Sequence, residues 1–310
     1  MTPEEAPATS RPSGGRPTTS VELIETAVPP HPQVSTGSPN GSRPELHPPD
    51  KRYDVYLFDL DGTVYLGEEA LPGAVETISA LRSGGAIVRY VSNNPTRTPE
   101  AYATKLTRLG LPTRPEDVVT TIATTVWWLT TYHPGATLFP IAEAPLCEAL
   151  VAAGFTLSDD PAAIDVVIAS YDRTFTYAKL QTAFDALWFH KRAILIQTNC
   201  DPFCPFPGGR GEPDAAAITA AIEACAGVTC QASMGKPEPW LLRAALAGLD
   251  APLDRCLMTG DRLATDIGMA LRAGMDAAVV FTGETRPEDI TDAHAGVYGL
   301  SGLRDLLPHH

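Results

Sequence analysis

No run in this 310-residue sequence approaches the ~18 consecutive apolar residues of a bilayer span, which excludes a membrane-spanning helix. Basic residues are scarce: 23 Lys and Arg stand against 37 Asp and Glu, leaving a formal charge of −14. Phosphate backbones and anionic lipid surfaces need cationic partners, so neither nucleic acid nor membrane is expected as a partner. Six cysteines are too few and too scattered for a disulfide framework, and reduced thiols in a cytoplasm suit them better. Cys200-x₃-Cys204 and Cys225-x₄-Cys230 also lack the two-residue knuckle of zinc sites. The first 20 residues have no apolar core of the kind a secretory signal needs. Residues 1–52 hold no Phe, Tyr or Trp but 11 of the 29 prolines, a composition that cannot offset the entropy of ordering. They read as a disordered, Pro-rich leader. The chain as a whole is 44% hydrophobic and 19% charged, enough for a sizeable core, and the expectation is a soluble, acidic, cytoplasmic protein.

From Tyr53 onward, short apolar runs alternate with helical patterns. Val55–Phe58 ends in Asp59, Ala86–Val91 in Ser92, Cys256–Thr259 in Gly260-Asp261, and Ala277–Phe281 in Thr282-Gly283. Continuous apolar runs mark strands covered on both faces, as in a parallel sheet. Thr98-Pro99 opens a helix to about Leu109, and Thr265 to Ala273 is a helix stopped by Gly274. The alternation predicts an α/β doubly wound parallel sheet with ligands at the carboxyl ends of the strands. Asp59, Asp61, Ser92, Asn93, Asp261 and Asp266 all fall at those ends. The stretch from Asn94 to Lys236 is too long for one crossover and has strand-like runs of its own at Ala136–Ile141, Asp165–Ser170 and Ala193–Gln197. The expected division is a core of 53–110 and 233–310 with an inserted α/β domain at 111–232.

In Asp59-Leu60-Asp61-Gly62-Thr63 two carboxylates two residues apart, just past a buried strand, can both face one pocket, with a glycine that lets the backbone turn sharply after them. Phe58-Asp59-Leu60-Asp61-Gly62-Thr63-Val64-Tyr65 resembles the first signature of the haloacid dehalogenase (HAD) superfamily. Val91-Ser92-Asn93-Asn94, Gly235-Lys236-Pro237 and Gly260-Asp261-Arg262-Leu263-Ala264-Thr265-Asp266-Ile267 follow in the order of the other three. Asp59 and Ser92 are 33 residues apart, and Ser92 and Lys236 are 144 apart, so the large insertion follows the second signature. Together these features resemble the class IIA branch, whose cap is of type 2A. That branch includes NagD-like sugar phosphatases and phosphatases of phosphoglycolate, glycerol phosphate and pyridoxal phosphate. The resemblance runs from about residue 53 to 305 and implies a HAD-like Rossmannoid core with a C2-type cap, and a homodimer through the cap. Two departures stand out: Ala169-Ser170 occupies a place where glycine is usual, and Glu212-Pro213-Asp214-Ala215 replaces a glycine-rich turn.

A phosphate monoester is a dianion, yet Asp59, Asp61, Asp261 and Asp266 face it with only Lys236 as counter-charge. One pair of like charges ~4 Å apart costs about 4 kcal/mol at an effective dielectric near 20, so a divalent cation is needed, and hard oxygen ligands favour Mg²⁺. Asp59 is assigned as the nucleophile that forms an aspartyl-phosphate, as the resemblance also implies, and Asp61 as general acid and base. Asp59, the Asp61 carbonyl and Asp261 would hold the metal, with Asp266 behind them. Ser92, the Asn93 amide and Lys236 would hold the phosphate. Candidate specificity residues in the cap are Asp172, Arg173, Tyr177 and Asn199. The expected partner is a small phosphorylated metabolite, a sugar phosphate or sugar-like phosphate. The alternatives are glycerol phosphate, phosphoglycolate or pyridoxal phosphate as substrate, a phosphotransferase or mutase, and a phospho-accepting signalling module. Asp61 and the large insertion argue against the last of these, and the short interval between the first two signatures argues against a mutase.

Overall fold

Val55-Tyr56-Leu57-Phe58 is buried at every position, the environment of a central strand flanked on both sides and covered on both faces. In the computed structural model, which describes residues 47–206 and 210–308, it forms strand β1 (Val55–Phe58). The chain continues through a short hairpin, β2 (Tyr65–Leu66) and β3 (Glu69–Ala70), and then α1 (Ala74–Ser83), β4 (Ile87–Ser92) and α2 (Pro99–Arg108). The Thr98 side chain caps α2 by accepting the Ala101 amide hydrogen, with Pro99 at the first helical position, as the sequence predicts. β5 (Val118–Thr120) and α3 (Thr121–Tyr132) follow.

The next strands build a second sheet: β6 (Thr137–Ile141), α4 (Ala144–Ala152), β7 (Thr156–Leu157), β8 (Val166–Ala169), α5 (Tyr177–Phe184) and β9 (Ile194–Gln197). A hairpin of β10 (Phe203–Phe206) and β11 (Arg210–Pro213) leads to α6 (Ala215–Ala226) and β12 (Ala232–Ser233). The chain then returns through α7 (Pro239–Leu246), β13 (Cys256–Gly260), α8 (Gly268–Ala273), β14 (Asp276–Val280) and β15 (Tyr298–Leu300).

The larger sheet has the order β15-β14-β13-β1-β4-β5, parallel throughout. The smaller, with order β12-β9-β8-β6-β7, is also parallel throughout. The expected α/β core with an inserted α/β cap is therefore present. Each sheet is covered on both faces: Tyr56, Phe58 and Tyr90 pack on one side of the larger sheet and Leu57, Met258 and Val279 on the other. Among the described residues no helix is long and apolar enough to cross a membrane.

Three boundaries differ from the sequence expectation. Val118–Thr120 pairs with β4 in the larger sheet, so the insertion starts after Thr120 and not at 111. The expected leader ran to Arg52, but the His47 carbonyl accepts the Gly299 amide hydrogen and Lys51 pairs with Asp276 at 2.8 Å, so 47–52 are bound to the body. Residues 1–46 lie outside the described residues. The helix expected from Thr265 begins as a wide π-type turn at Leu263–Ile267 before α8, because Asp266 is drawn inward to the cluster described below.

Candidate active site

β1 and β13 end side by side, and the Asp59 amide extends their ladder by donating to the Thr259 carbonyl at 2.9 Å. This register sets Asp59 beside Asp261, while the turn into α8 carries Asp266 back toward both. Carboxylate oxygens of Asp59, Asp261 and Asp266 lie within 4.8 Å of one another. Each like-charge pair at such a separation costs about 3–4 kcal/mol at an effective dielectric near 20. Burial, reinforced by the Asp59 charge, pushes the Asp261 carboxyl up to about 6. Burial also raises Asp266, against the pull of Lys236.

One cation already sits in the cluster. Lys236 Nζ donates to Asp59 Oδ1 and lies 2.6 Å from Asp266 Oδ1. Burial alone would lower its pKa, but Asp266 and Asp59 outweigh that and the net displacement is upward. One lysine does not satisfy three acids. Asp261 Oδ2 accepts the Glu284 amide hydrogen at 2.8 Å, but its buried Oδ1 has no hydrogen-bond partner among the described residues. An orphaned carboxylate oxygen beside two further carboxylates is a donor set of hard oxygens and fits a divalent cation such as Mg²⁺. The surrounding backbone fits closely. A Cβ on Gly283 would lie 2.0 Å from Asp261 Oδ2, and one on Gly260 2.3 Å from Asp266 Cγ.

Asp61 stands exposed at the mouth of the site, two residues beyond Asp59. Gly62 permits this by taking a φ of 86°, donating to the Tyr65 carbonyl and accepting from Thr282 Oγ1 at 2.7 Å. Enclosing protein, and secondarily the Asp59 charge, raise the Asp61 carboxyl above its ordinary value. Ser92 ends β4, its hydroxyl 3.3 Å from Tyr102 Oη and accepting the Asn94 amide hydrogen. The Asn93 side chain has a role that sequence reasoning missed. Its Oδ1 accepts the Lys236 amide hydrogen at 2.7 Å and its Nδ2 donates to the Lys236 carbonyl at 3.0 Å, clasping the segment that aims the lysine. A Cβ on Gly235 would approach Asn93 Oδ1 to 2.7 Å, so the glycine of that signature makes room for the clasp.

These residues form one wall of a cavity of about 1070 Å³ whose opposite wall is the cap. Of the cap candidates, only Arg173 lines it, and its guanidinium is held by Glu143 at 2.6 and 2.8 Å. Asp172 is buried away from the cavity, where it pairs with Lys179 Nζ at 2.5 Å and accepts from Thr174. Tyr177 begins α5 and is 79% exposed, off the cavity. Asn199 is buried and donates to Asp201 Oδ2 at 2.9 Å, bracing a residue of the wall without forming it. The cap residues that do reach the cavity include Tyr171, Asp201, Phe203, Cys204 and Asp214. Asp201 Oδ2 also accepts from Asn93 Nδ2 at 3.0 Å, joining cap to core. From the core, Arg262 reaches both Glu284, at 3.1 Å, and Asp201, at 4.0 Å, and lines the cavity as well.

Comparison with known proteins agrees with this geometry. Residues 56–156 match the model of haloacid dehalogenase-like hydrolases, and residues 233–306 match a second model of HAD-like hydrolases. An acid sugar phosphatase of Staphylococcus saprophyticus is 37% identical over 241 residues, covering 77% of this chain and 91% of the relative. The crystal structure of a 4-nitrophenylphosphatase from Thermotoga maritima superimposes with a TM-score of 0.76 at 30% identity, over 82% of this chain and 96% of that one. A glycerol phosphate phosphatase from Mycobacterium tuberculosis, in complex with magnesium, gives a TM-score of 0.73 at 30% identity, over 82% of this chain and 76% of that one. The chain belongs to the haloacid dehalogenase-like hydrolases, as a class IIA phosphatase of the NagD-like type.

Proposed function

We propose that this phosphatase hydrolyses the monoester of a sugar or sugar-like polyol, with Asp59 as nucleophile and Asp61 as general acid and base. The observation that carries the mechanism is Asp59 fixed by Lys236 at a strand end, with Asp61 two residues on at the cavity mouth. Asp59 attacks phosphorus and the ester P–O bond breaks. The leaving oxygen takes its proton from Asp61, whose raised pKa favours holding one. Asp61, now a base, takes a proton from water, which attacks the aspartyl-phosphate, frees inorganic phosphate and restores Asp59. The Ser92 hydroxyl, the Asn93 amide and Lys236 would hold phosphoryl oxygens throughout. Asp59, the Asp61 carbonyl and Asp261 would hold Mg²⁺, with Asp266 in support. When bound, that ion supplies the positive charge the acid cluster lacks and draws a dianionic ester to it.

The sugar assignment is supported by the acid sugar phosphatase relatives and by a cavity that several charged and polar residues line and that is large enough for a hexose phosphate. The glycerol phosphate phosphatase similarity supports a smaller polyol ester as the second reading. Phosphate release from a panel of hexose phosphates, glycerol phosphate, phosphoglycolate and pyridoxal phosphate, with Mg²⁺ and with chelator, tests both. Turnover of none of these esters would contradict the proposal. We read residues 121–233 as the cap, and Tyr177, Trp188 and Phe189, all exposed, as a surface for a homodimer through it. Light scattering of the wild type and of a Trp188→Glu variant checks the dimer.

A further inference from the structure

The hydrolytic scheme gives no task to Asp214, an acid of the cap wall. Asp214 lies where β11 turns into α6, lines the cavity and is only 6% exposed. Its Oδ1 caps α6 by accepting the Ala215 amide hydrogen at 2.6 Å. A carboxylate has room for several more donors, and among the described residues no basic side chain acts on this one. Burial is the main influence on it and Asp201 adds a like charge, with only the Ala215 amide and Asn199 in opposition. The other charged and hydroxyl groups on this wall are already engaged. Arg173 is held by Glu143, Tyr171 donates to Glu212, and Asp201 accepts from Asn93 and Asn199. Asp214 is thus a largely buried carboxylate on the cavity lining, held by the Ala215 amide and by Asn199 and with no basic partner among the described residues. It also belongs to Glu212-Pro213-Asp214-Ala215, which stands in place of the glycine-rich turn that the family resemblance leads one to expect.

We propose that Asp214 is a specificity-determining residue that accepts hydrogen bonds from hydroxyl groups at the end of the substrate remote from the phosphate. The inference rests on the sugar phosphate reading above and names the residue that selects such esters. A buried acceptor left unpaired is costly, so an ester without hydroxyls gains nothing at this wall and one with them gains an interaction.

The test is steady-state kinetics of the wild type, Asp214→Ser and Asp214→Gly on a hexose 6-phosphate and on 4-nitrophenyl phosphate, with Mg²⁺ present. Serine and glycine both serve at a helix N-cap, so α6 keeps its start and circular dichroism checks the fold. The expected result is a fall of roughly ten- to a hundredfold in kcat/KM for the hexose phosphate, carried mainly by KM. Turnover of 4-nitrophenyl phosphate should stay within about twofold of wild type. An equal fall on both esters would assign Asp214 a purely structural role and overturn the inference, as would no change on either. If the wild type hydrolyses the hexose phosphate and the variants match it, only this inference fails. If the wild type hydrolyses 4-nitrophenyl phosphate but no sugar or polyol ester, the substrate reading fails together with it.

Discussion

Lys236 is the residue on which the acid cluster depends most. Its ammonium is shared between Asp59 and Asp266 in a buried setting, where removing one partner of an ion pair costs about 3–5 kcal/mol. Lys236→Met should therefore lower the melting temperature at neutral pH and reduce kcat by about two decades or more, because it removes both the positioning of Asp59 and the phosphate contact proposed for it. The stability loss should shrink in acid, where the neighbouring carboxyls take up protons. Calorimetry at two pH values, with kinetics in parallel, checks both parts. At this scale the sequence was most informative in the signatures. Asp59, Asp61, Ser92, Asn93, Asp261 and Asp266 each end or follow a strand or open a helix, so their order and spacing already implied one shared edge, while Lys236 was marked by the Gly235-Lys236-Pro237 signature. Asp172, Tyr177 and Asn199 could not be judged in this way. Which polar residue of a cap loop turns inward depends on ion pairs such as Asp172 with Lys179, and no pattern in the sequence announces those.

Among the elements, the strands that the sequence revealed are those with long apolar runs of their own: β1, β4, β6, β8, β9, β13 and β14. β5, β12 and β15 have only two or three residues each and owe their conformation to the neighbour they pair with. That is why the insertion's start was expected at 111 when the larger sheet in fact continues to Thr120. Helix α6 gives a pH prediction at this scale. Its cap residue Asp214 has its folded pKa raised by burial to about 6 from 3.8, so the folded state binds the proton more tightly than the unfolded state. The contribution of Asp214 to stability is thus greatest with its carboxyl protonated and is lost as pH rises from about 4 to about 6. Asp214→Asn keeps an N-cap oxygen and should flatten that part of the stability profile by up to about 3 kcal/mol. Urea unfolding across that pH range measures the difference.

For the whole molecule, a net charge of −14 and a buried acid cluster make cation binding and stability a single property. A ligand that binds only the folded state at a hundred times its dissociation constant adds about 2.7 kcal/mol. Mg²⁺ should accordingly raise the melting temperature of the wild type, and chelator should reverse the rise. Asp261→Asn, which takes one donor from the cluster, should largely abolish the effect. The rise should weaken below about pH 6, where Asp261 protonates and competes with the ion. Thermal denaturation with added metal reads this without any enzymatic assay.

The covalent role proposed for Asp59 would join the sheet, the acid cluster and the cap into one catalyst, and the Asp59→Asn variant tests it most directly. The substitution keeps the shape of the side chain and the Lys236 contact but removes the nucleophilic oxygen. With Mg²⁺ saturating and the fold verified, kcat on the best ester of the panel is predicted to fall by several decades. Retention of more than about a tenth of wild-type turnover would contradict the aspartyl-phosphate route.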